Sequence, residues 1–317
     1  MSRIILRILE TPQEMSAVED LQRQVWPGDE TDIVPGHMLL AAAHNGGLVI
    51  GAYDAGEAGE AGEQAGLAWG DIPVGAPLVG FTFGFPGLYT TPDGPRPKHC
   101  SHMLGVHPEH RDRGVGFKLK RAQWQMVRHQ GLDRITWTYD PLLSRNAHLN
   151  IARLGAVCNT YLREEYGDMR DGLNAGLPSD RFQVDWWIRS QRVSRRLSKR
   201  MRRSLDLAHY LAAGTTILNP SLVGEDGLPC PPAAFRLGEI ENVNAVQEEQ
   251  PLLLVEIPAD FLALKATNPT LALAWRLHTR DIFETLFERG YLVTDFVHLS
   301  GTYARSFYVL SYGEARV

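Results

Sequence analysis

Long apolar runs are missing from this 317-residue chain. No stretch of about 18 apolar residues occurs, so a membrane-spanning helix is not expected. Cysteine is scarce: Cys100, Cys158 and Cys230 are odd in number and far apart, which argues against a disulfide framework or a zinc site and fits reduced thiols. The opening Met1–Arg7 carries no signal-peptide core, so a cytoplasmic protein is expected. Positive charge is not in excess either. A net charge of −5 excludes a surface that is a nucleic-acid footprint throughout. No Gly-Lys-Ser/Thr follows a glycine loop, and Gly-x-Gly-x-x-Gly does not occur, which excludes the two commonest phosphate fingerprints. What remains is a chain that is 44% hydrophobic, enough for a sizeable core, and longer than a typical single domain.

The informative segment is Leu104–Gly116, Leu-Gly-Val-His-Pro-Glu-His-Arg-Asp-Arg-Gly-Val-Gly. An apolar stretch ends at Pro108, a turn with two arginines and two glycines follows, and a helical pattern runs from Phe117 to His129. Strand, glycine turn and helix start together make a nest of backbone N–H groups suited to a phosphate. Gly114 and Gly116 lack the Cβ atoms that would hold a pyrophosphate off the backbone. Arg111 and Arg113 add full charges to the partial charge of the helix N-terminus.

Arg111-x-x-Gly114-x-Gly116 after a strand ending Val106-x-Pro108 resembles the acyl-CoA pyrophosphate loop of the GNAT superfamily of N-acetyltransferases. The resemblance covers about residues 3–189 and implies an α/β (α+β) fold: a mixed, largely antiparallel central sheet flanked by helices. It implies acetyl-CoA, or another acyl-CoA, as co-substrate, with no metal. By the resemblance, the strand Met103–Val106 pairs its backbone with the pantetheine arm. Leu104, Gly105, Val106, Arg111, Arg113, Gly114, Val115, Gly116 and Phe117 line the cofactor site, with Gly105 allowing close approach. Asn146 or Asn150 replaces the asparagine that often touches the pantetheine, whose usual place holds Ser144.

The pattern along the chain agrees with that fold. A strand is expected over residues 3–9 and a helix capped by Thr11-Pro-Gln-Glu14 to about Val25. A short helix over Gly36–His44 precedes strands over 47–53, 78–85 and 98–107, and Thr90–Pro97 reads as a turn. The Gly-, Ala- and Glu-rich stretch 54–66 reads as a flexible insertion. Alternation marks a strand at Arg134–Asp140, then a helix over Ser144–Leu154 with Ser144 as its cap and Gly155 past its end. Strands over 157–161 and 182–188 complete a catalytic domain, 1–189. Residues 190–213 form a basic linking segment. A C-terminal α/β extension, 214–317, with strands at 252–257, 291–296 and 307–311 and a helix at 270–289, resembles a partial second GNAT half.

Amine acylation needs a held thioester, a base for the ammonium and a stabilised oxyanion. His102, on the strand before the loop, is the candidate base, with His99, Glu164 and Glu165 as others. The tyrosine that often protonates the leaving thiolate in this family is replaced by Ile151, four residues before Gly155, so Tyr139 and Tyr161 are the candidate acids. Trp26, Trp186 and Trp187 could line an acceptor pocket or form core. Arg276 and Arg280 read as a carboxylate clamp or a solvated helix face. Eight basic residues and no acid lie in 189–203. An amphipathic helix with Val193, Leu197 and Met201 on its apolar stripe is expected to pack between domains, to neutralise a CoA phosphate or an acidic partner, or to bind nucleic acid. The expected partner is a small-molecule amine, with neither membrane nor nucleic acid favoured and a homodimer left open. A succinyl-CoA-dependent amino-acid N-acyltransferase and a non-catalytic acyl-CoA-binding regulator are the alternatives.

Overall fold

The computed structural model describes residues 2–28, 30–57, 69–167, 169, 175–198, 205–236 and 251–313. Among them no helix is long and apolar enough to cross a membrane. The chain forms two compact units: Met1–Trp137 with Met169–Ala175 and Trp187–Arg189, and Thr138–Asp168 with Gly176–Trp186 and Ser190–Val317. This division differs from the boundary expected at residue 189. Strand Val157–Leu162 pairs with Arg181–Trp187 and also with Tyr291–Leu299, so backbone hydrogen bonds tie it to the C-terminal segment.

The first unit is built on β1 (Ser2–Ile8), β2 (Leu48–Glu57), β3 (Leu78–Thr91), β4 (Gly94–Val106) and β5 (Arg134–Tyr139), whose last two residues belong to the second unit. They lie in that order, antiparallel as far as β4, while β4 and β5 run parallel. Helix α1 (Pro12–Val25) starts at the expected capping box: Thr11 Oγ1 accepts from the Glu14 N–H and the Glu14 carboxylate accepts from the Thr11 N–H. Its buried Met15, Val18, Leu21 and Val25 join Leu39 of α2 (Gly36–His44) against Phe81 and Phe83. Helix α3 (Val115–His129) buries Val115, Leu119 and Ala122 against Ile4, Leu6, Ile50 and Ala52. Each helix therefore covers sheet surface with a 3.6-period apolar stripe.

Two expectations change here. Asp54–Glu57 belong to β2, and the rest of the expected insertion, 58–66, lies outside the described residues. Thr90–Pro97 is mostly ladder, because pairing continues from Gly80↔Val106 to Thr91↔Gly94 and satisfies the backbone of both arms. That hairpin contains one irregularity. Phe83 pairs with Met103 and Gly84 with Ser101, so His102 is an extra residue, a β-bulge. The bulge resets the two-residue alternation. Ser101 bonds to α3 and Leu104 packs on the α3 core, though three residues apart, while His102 lies against Phe83 and Met103 packs on the α1–α2 core.

The second unit orders its strands β7 (Arg181–Trp187, its last residue in the first unit), β6 (Val157–Leu162), β12 (Tyr291–Leu299), β13 (Arg305–Tyr312), β11 (Leu253–Ile257) and β8 (Thr216–Ile217). β9 (Leu222–Val223) and β10 (Pro229–Cys230) form a separate pair. Helix α4 (Ser144–Ala147) continues as a π-helical turn over His148–Arg153 and ends at Gly155 with φ +77°. Ser144 is not its cap. Leu143 holds that position without a side-chain bond, and Ser144 Oγ lies 2.8 Å from Ser306 Oγ. Of the basic run, α5 (Gln191–Leu197) is a helix capped by Ser190, with Val193 and Leu197 buried; Lys199–Arg203 lie outside the described residues.

Gly84 makes room for the His99 ring. A Cβ built at Gly84 would sit 2.2 Å from His99 Nε2 and 2.6 Å from the Cys100 carbonyl oxygen, a backbone atom that cannot swing away. Gly84→Ala should cost about 1–3 kcal/mol, the usual range for overpacking a core, measured as a lower midpoint in urea unfolding.

Candidate active site

β4 pairs with β5 only at His99↔Ile135 and Cys100↔Thr136. From Ser101 to Val106, β4 keeps its antiparallel partner β3 but has no pairing with β5. Beyond Val106 the chain turns through a short 3-10 segment, Pro108–His110, and places Asp112 (φ 62°) and Gly114 (φ 76°) in the left-handed region. Glycine adopts that conformation without strain, and Gly114 is the N-cap of α3. The first rung of the helix runs from the Lys118 N–H to the Gly114 carbonyl, so the Val115 and Gly116 N–H groups precede the ladder. An open strand edge thus leads directly into a helix N-terminus.

The loop residues divide by role. Arg113 is exposed. Arg111, expected to line the cofactor site, donates from Nε to the Val106 carbonyl at 3.3 Å and from Nη2 to the Val25 carbonyl at 3.4 Å. It clips the turn to the end of β4 and to the negative end of α1. Gly105, expected to allow cofactor approach, has a packing reason of its own: a Cβ there would lie 2.7 Å from the Phe81 ring and 3.2 Å from Trp26. Leu104 and Val106 pack on the α3 core, Val115 is buried, and Gly116 and Phe117 lie half-buried in the first turn of α3.

His102, the bulged residue, is exposed, with ring centroids 5.9 Å from both Phe83 and Phe85. Desolvation by these surroundings lowers its pKa, which keeps the imidazole neutral and able to accept a proton near neutral pH. Tyr139, Tyr161 and Asn146 belong to the second unit. Tyr139 is buried with its hydroxyl 3.1 Å from that of Tyr308, and burial raises its pKa far above the usual tyrosine value. Tyr161 donates to Asp180 at 2.7 Å and is likewise raised, chiefly by burial. Asn146 is half-buried in α4, Asn150 is buried, and Ile151 is fully buried.

The other side-chain candidates are held internally. In α6 (Pro269–Glu288), Arg276 is 1% exposed and bidentate on Asp140, and Arg280 is bidentate on Asp180. They are ion pairs, neither a free clamp nor a solvated face. Arg192 donates to the Gly155 and Thr294 carbonyls, and Arg196 pairs with Asp295, so both basic side chains are committed within their own unit. Trp186 is buried and donates to the Leu154 carbonyl, a core role. Among the described residues no cluster of three or more His, Cys, Asp or Glu could hold a metal ion.

Sequence reasoning missed a polar cluster inside the first unit. Lys120, 2% exposed, donates to Ser101 Oγ at 2.7 Å and Gln123 Oε1 at 3.3 Å, with Nζ 3.7 Å from the centre of the Trp137 ring. With its oxygen held by Lys120, Gln123 turns its amide N–H to His99 Nε2 at 3.2 Å, which makes His99 the neutral Nδ1–H tautomer. His99 Nδ1 is buried without a partner. Burial, with the Lys120 charge second, pushes the His99 pKa down to about 3, and burial pushes Lys120 down to about 7. Periodicity gave no signal for it: Lys120 lies about 100° round the helix from Leu119, off the Val115–Leu119–Ala122 face and beside Gln123 and Val127.

No family profile matches the chain, and no curated protein does. Solved structures to which it is similar include Arabidopsis thaliana NAA60 in complex with acetyl-CoA: 15% identity, 59% of this chain and 99% of that one, TM-score 0.43. Another is a GNAT-family structure from Desulfovibrio desulfuricans: 15% identity, 59% and 99% covered, TM-score 0.39. A third is the IAA acetyltransferase from Bacillus cereus: 10% identity, 58% and 98% covered, TM-score 0.35.

Lys120 also makes stability depend on pH. Its folded pKa of about 7 lies below the ordinary lysine value, so between these two values the unfolded chain binds the extra proton. Stability should therefore rise with pH through that window, by up to about 1.4 kcal/mol per pH unit. Urea unfolding between pH 7 and pH 9 should show a steeper rise for the wild type than for Lys120→Met, which has no such proton to lose.

Proposed function

We propose that this chain is an acyl-CoA-dependent N-acyltransferase, with acetyl-CoA as donor and the primary amine of a small molecule as acceptor. The observation that carries the reading is the continuity of three features. These are a β4 edge released by β5 after Cys100, a left-handed Gly114, and the N-terminus of α3. An acyl-CoA is a long arm of amides joined to a pyrophosphate. An open strand edge suits the amides, and the Val115 and Gly116 N–H groups with the helix dipole suit the pyrophosphate. Arg113 adds charge from an exposed position. Arg111 holds the turn in shape.

In the proposed reaction His102, directly or through a water, takes the proton of the substrate ammonium. The free amine attacks the thioester carbonyl, the carbonyl electrons move onto oxygen, and the tetrahedral intermediate collapses to expel the CoA thiolate, which takes up, through water, the surplus proton that the nitrogen sheds. The hydroxyls of Tyr139 and Tyr161 are engaged with Tyr308 and Asp180, and the step is written without an acid because a thiolate leaves at a pKa like that of a free thiol. The non-catalytic reading has one observation in its favour, the buried Ile151 at the position of the usual acid. Turnover of acetyl-CoA with any amine removes it.

Calorimetric titration with acetyl-CoA tests the site. Gly116→Val places a branched side chain in the first turn of α3, where its φ is not left-handed, so the fold should survive and binding should fall at least tenfold. Wild-type affinity in a folded Gly116→Val protein would overturn the loop assignment.

A further inference from the structure

Residues 107–114 join the end of β4 to the start of α3. Their own backbone bonds are local: the His110 N–H bonds the His107 carbonyl, and the Arg111 N–H bonds the Pro108 carbonyl. Asp112 nevertheless holds φ 62°, a conformation that a residue with a Cβ keeps where its surroundings impose it. The two residues before it are tied down by their side chains. Arg111 reaches the Val106 and Val25 carbonyls. His110 reaches β2, where its Nε2 lies 3.1 Å from Asp54 Oδ2.

The two side chains of this second tie are 16% and 14% exposed. Asp54 Oδ1 accepts the Gly56 N–H at 2.9 Å, and the Asp54 N–H bonds the Pro77 carbonyl. The carboxylate is thus held by backbone groups on one side and meets His110 with its other oxygen. An ionised carboxylate only accepts, so His110 Nε2 carries the proton and donates. The His107 ring stands edge-on to the His110 ring, with centroids 5.7 Å apart, and its Nδ1 accepts the Glu109 N–H. The His107 N–H bonds the Val79 carbonyl of β3. Neither His110 nor Asp54 belongs to the Arg111-x-x-Gly114-x-Gly116 motif.

On the acyl-CoA reading, the Val115 and Gly116 N–H groups at the far end of this turn meet the pyrophosphate. Such donors bind best when they stand in place before the ligand arrives, because ordering a turn on binding costs affinity. We propose that His110 is a positioning residue: its hydrogen bond to Asp54 fixes the turn and so holds the Val115 and Gly116 donors where the pyrophosphate binds. The pair acts through the backbone of the turn and touches no reacting atom. The inference rests on the acyl-CoA reading and deepens it.

The experiment titrates acetyl-CoA into the wild type, His110→Ala, Asp54→Ala, the double variant and His110→Gln. NMR of the saturated samples then follows the pyrophosphate phosphorus and a labelled acetyl carbonyl. Each alanine variant should weaken binding about tenfold, the scale of one hydrogen bond to a charged group, and the double variant no further. His110→Gln keeps an N–H near the place of Nε2 and should restore most of the affinity. In the alanine variants the bound pyrophosphate signals should move back toward their free positions, while the acetyl carbonyl signal stays in place. Bound pyrophosphate signals in a folded His110→Ala protein that match the wild type would overturn the role of His110 and leave the acyl-CoA reading standing. Pyrophosphate and acetyl signals that move together would do the same, because they mark general disruption. Failure of the wild type to bind acetyl-CoA would overturn both. Asp54→Ala breaks the same bond from β2 and keeps the test valid should His110→Ala fold poorly.

Discussion

The candidate site depends on where β4 changes its hydrogen-bonding partners. Up to Cys100 it is an interior strand, antiparallel to β3 and parallel to β5; from Ser101 onward only β3 holds it. A sheet edge inside a protein leaves unpaired N–H and C=O groups that must find partners. Here the edge ends at a turn whose left-handed Gly114 opens a helix N-terminus, itself a set of unpaired donors. Two backbone demands of the same kind therefore lie end to end. A ligand with amides at one end and phosphates at the other answers both.

The His102 bulge accompanies that change. By adding one residue it puts Ser101 and His99 on the α3 side while Leu104 and Val106 remain there too. The same residue places an imidazole beside Phe83 and Phe85. One irregularity thus supplies a neutral base candidate on one side of the sheet and a hydroxyl held by a buried ammonium on the other. Gly84 is part of the same device, since the His99 ring occupies the space its Cβ would take.

Local chemistry was legible in the residues. The Thr11–Glu14 capping box, helix Gly36–His44, the Gly155 helix stop and the strand–loop–helix run through Arg111, Gly114 and Gly116 all formed as read. Each depends on contacts within a few positions of the chain. The errors have a common origin in distance. Ser144 was read as a cap, but its hydroxyl lies against Ser306, 162 residues away. Arg276 and Arg280 were read without Asp140 and Asp180, which lie 136 and 100 residues away. Thr90–Pro97 was read as a turn from its prolines; the turn is confined to Pro92 and Asp93, because the ladder that begins at Gly80↔Val106 runs on to Thr91↔Gly94.

By itself the sequence determined the elements, the left-handed turn and the character of the helix N-terminus, because glycine conformations, caps and apolar periods act over one or two turns of chain. Tertiary structure alone decided which strand β4 leaves unpaired, and that Lys120, Ser101, Gln123 and His99 form one network. That network requires burial, and burial both strips the lysine of water and brings its partners within hydrogen-bond distance. Neither effect exists until helix α3 closes over the sheet.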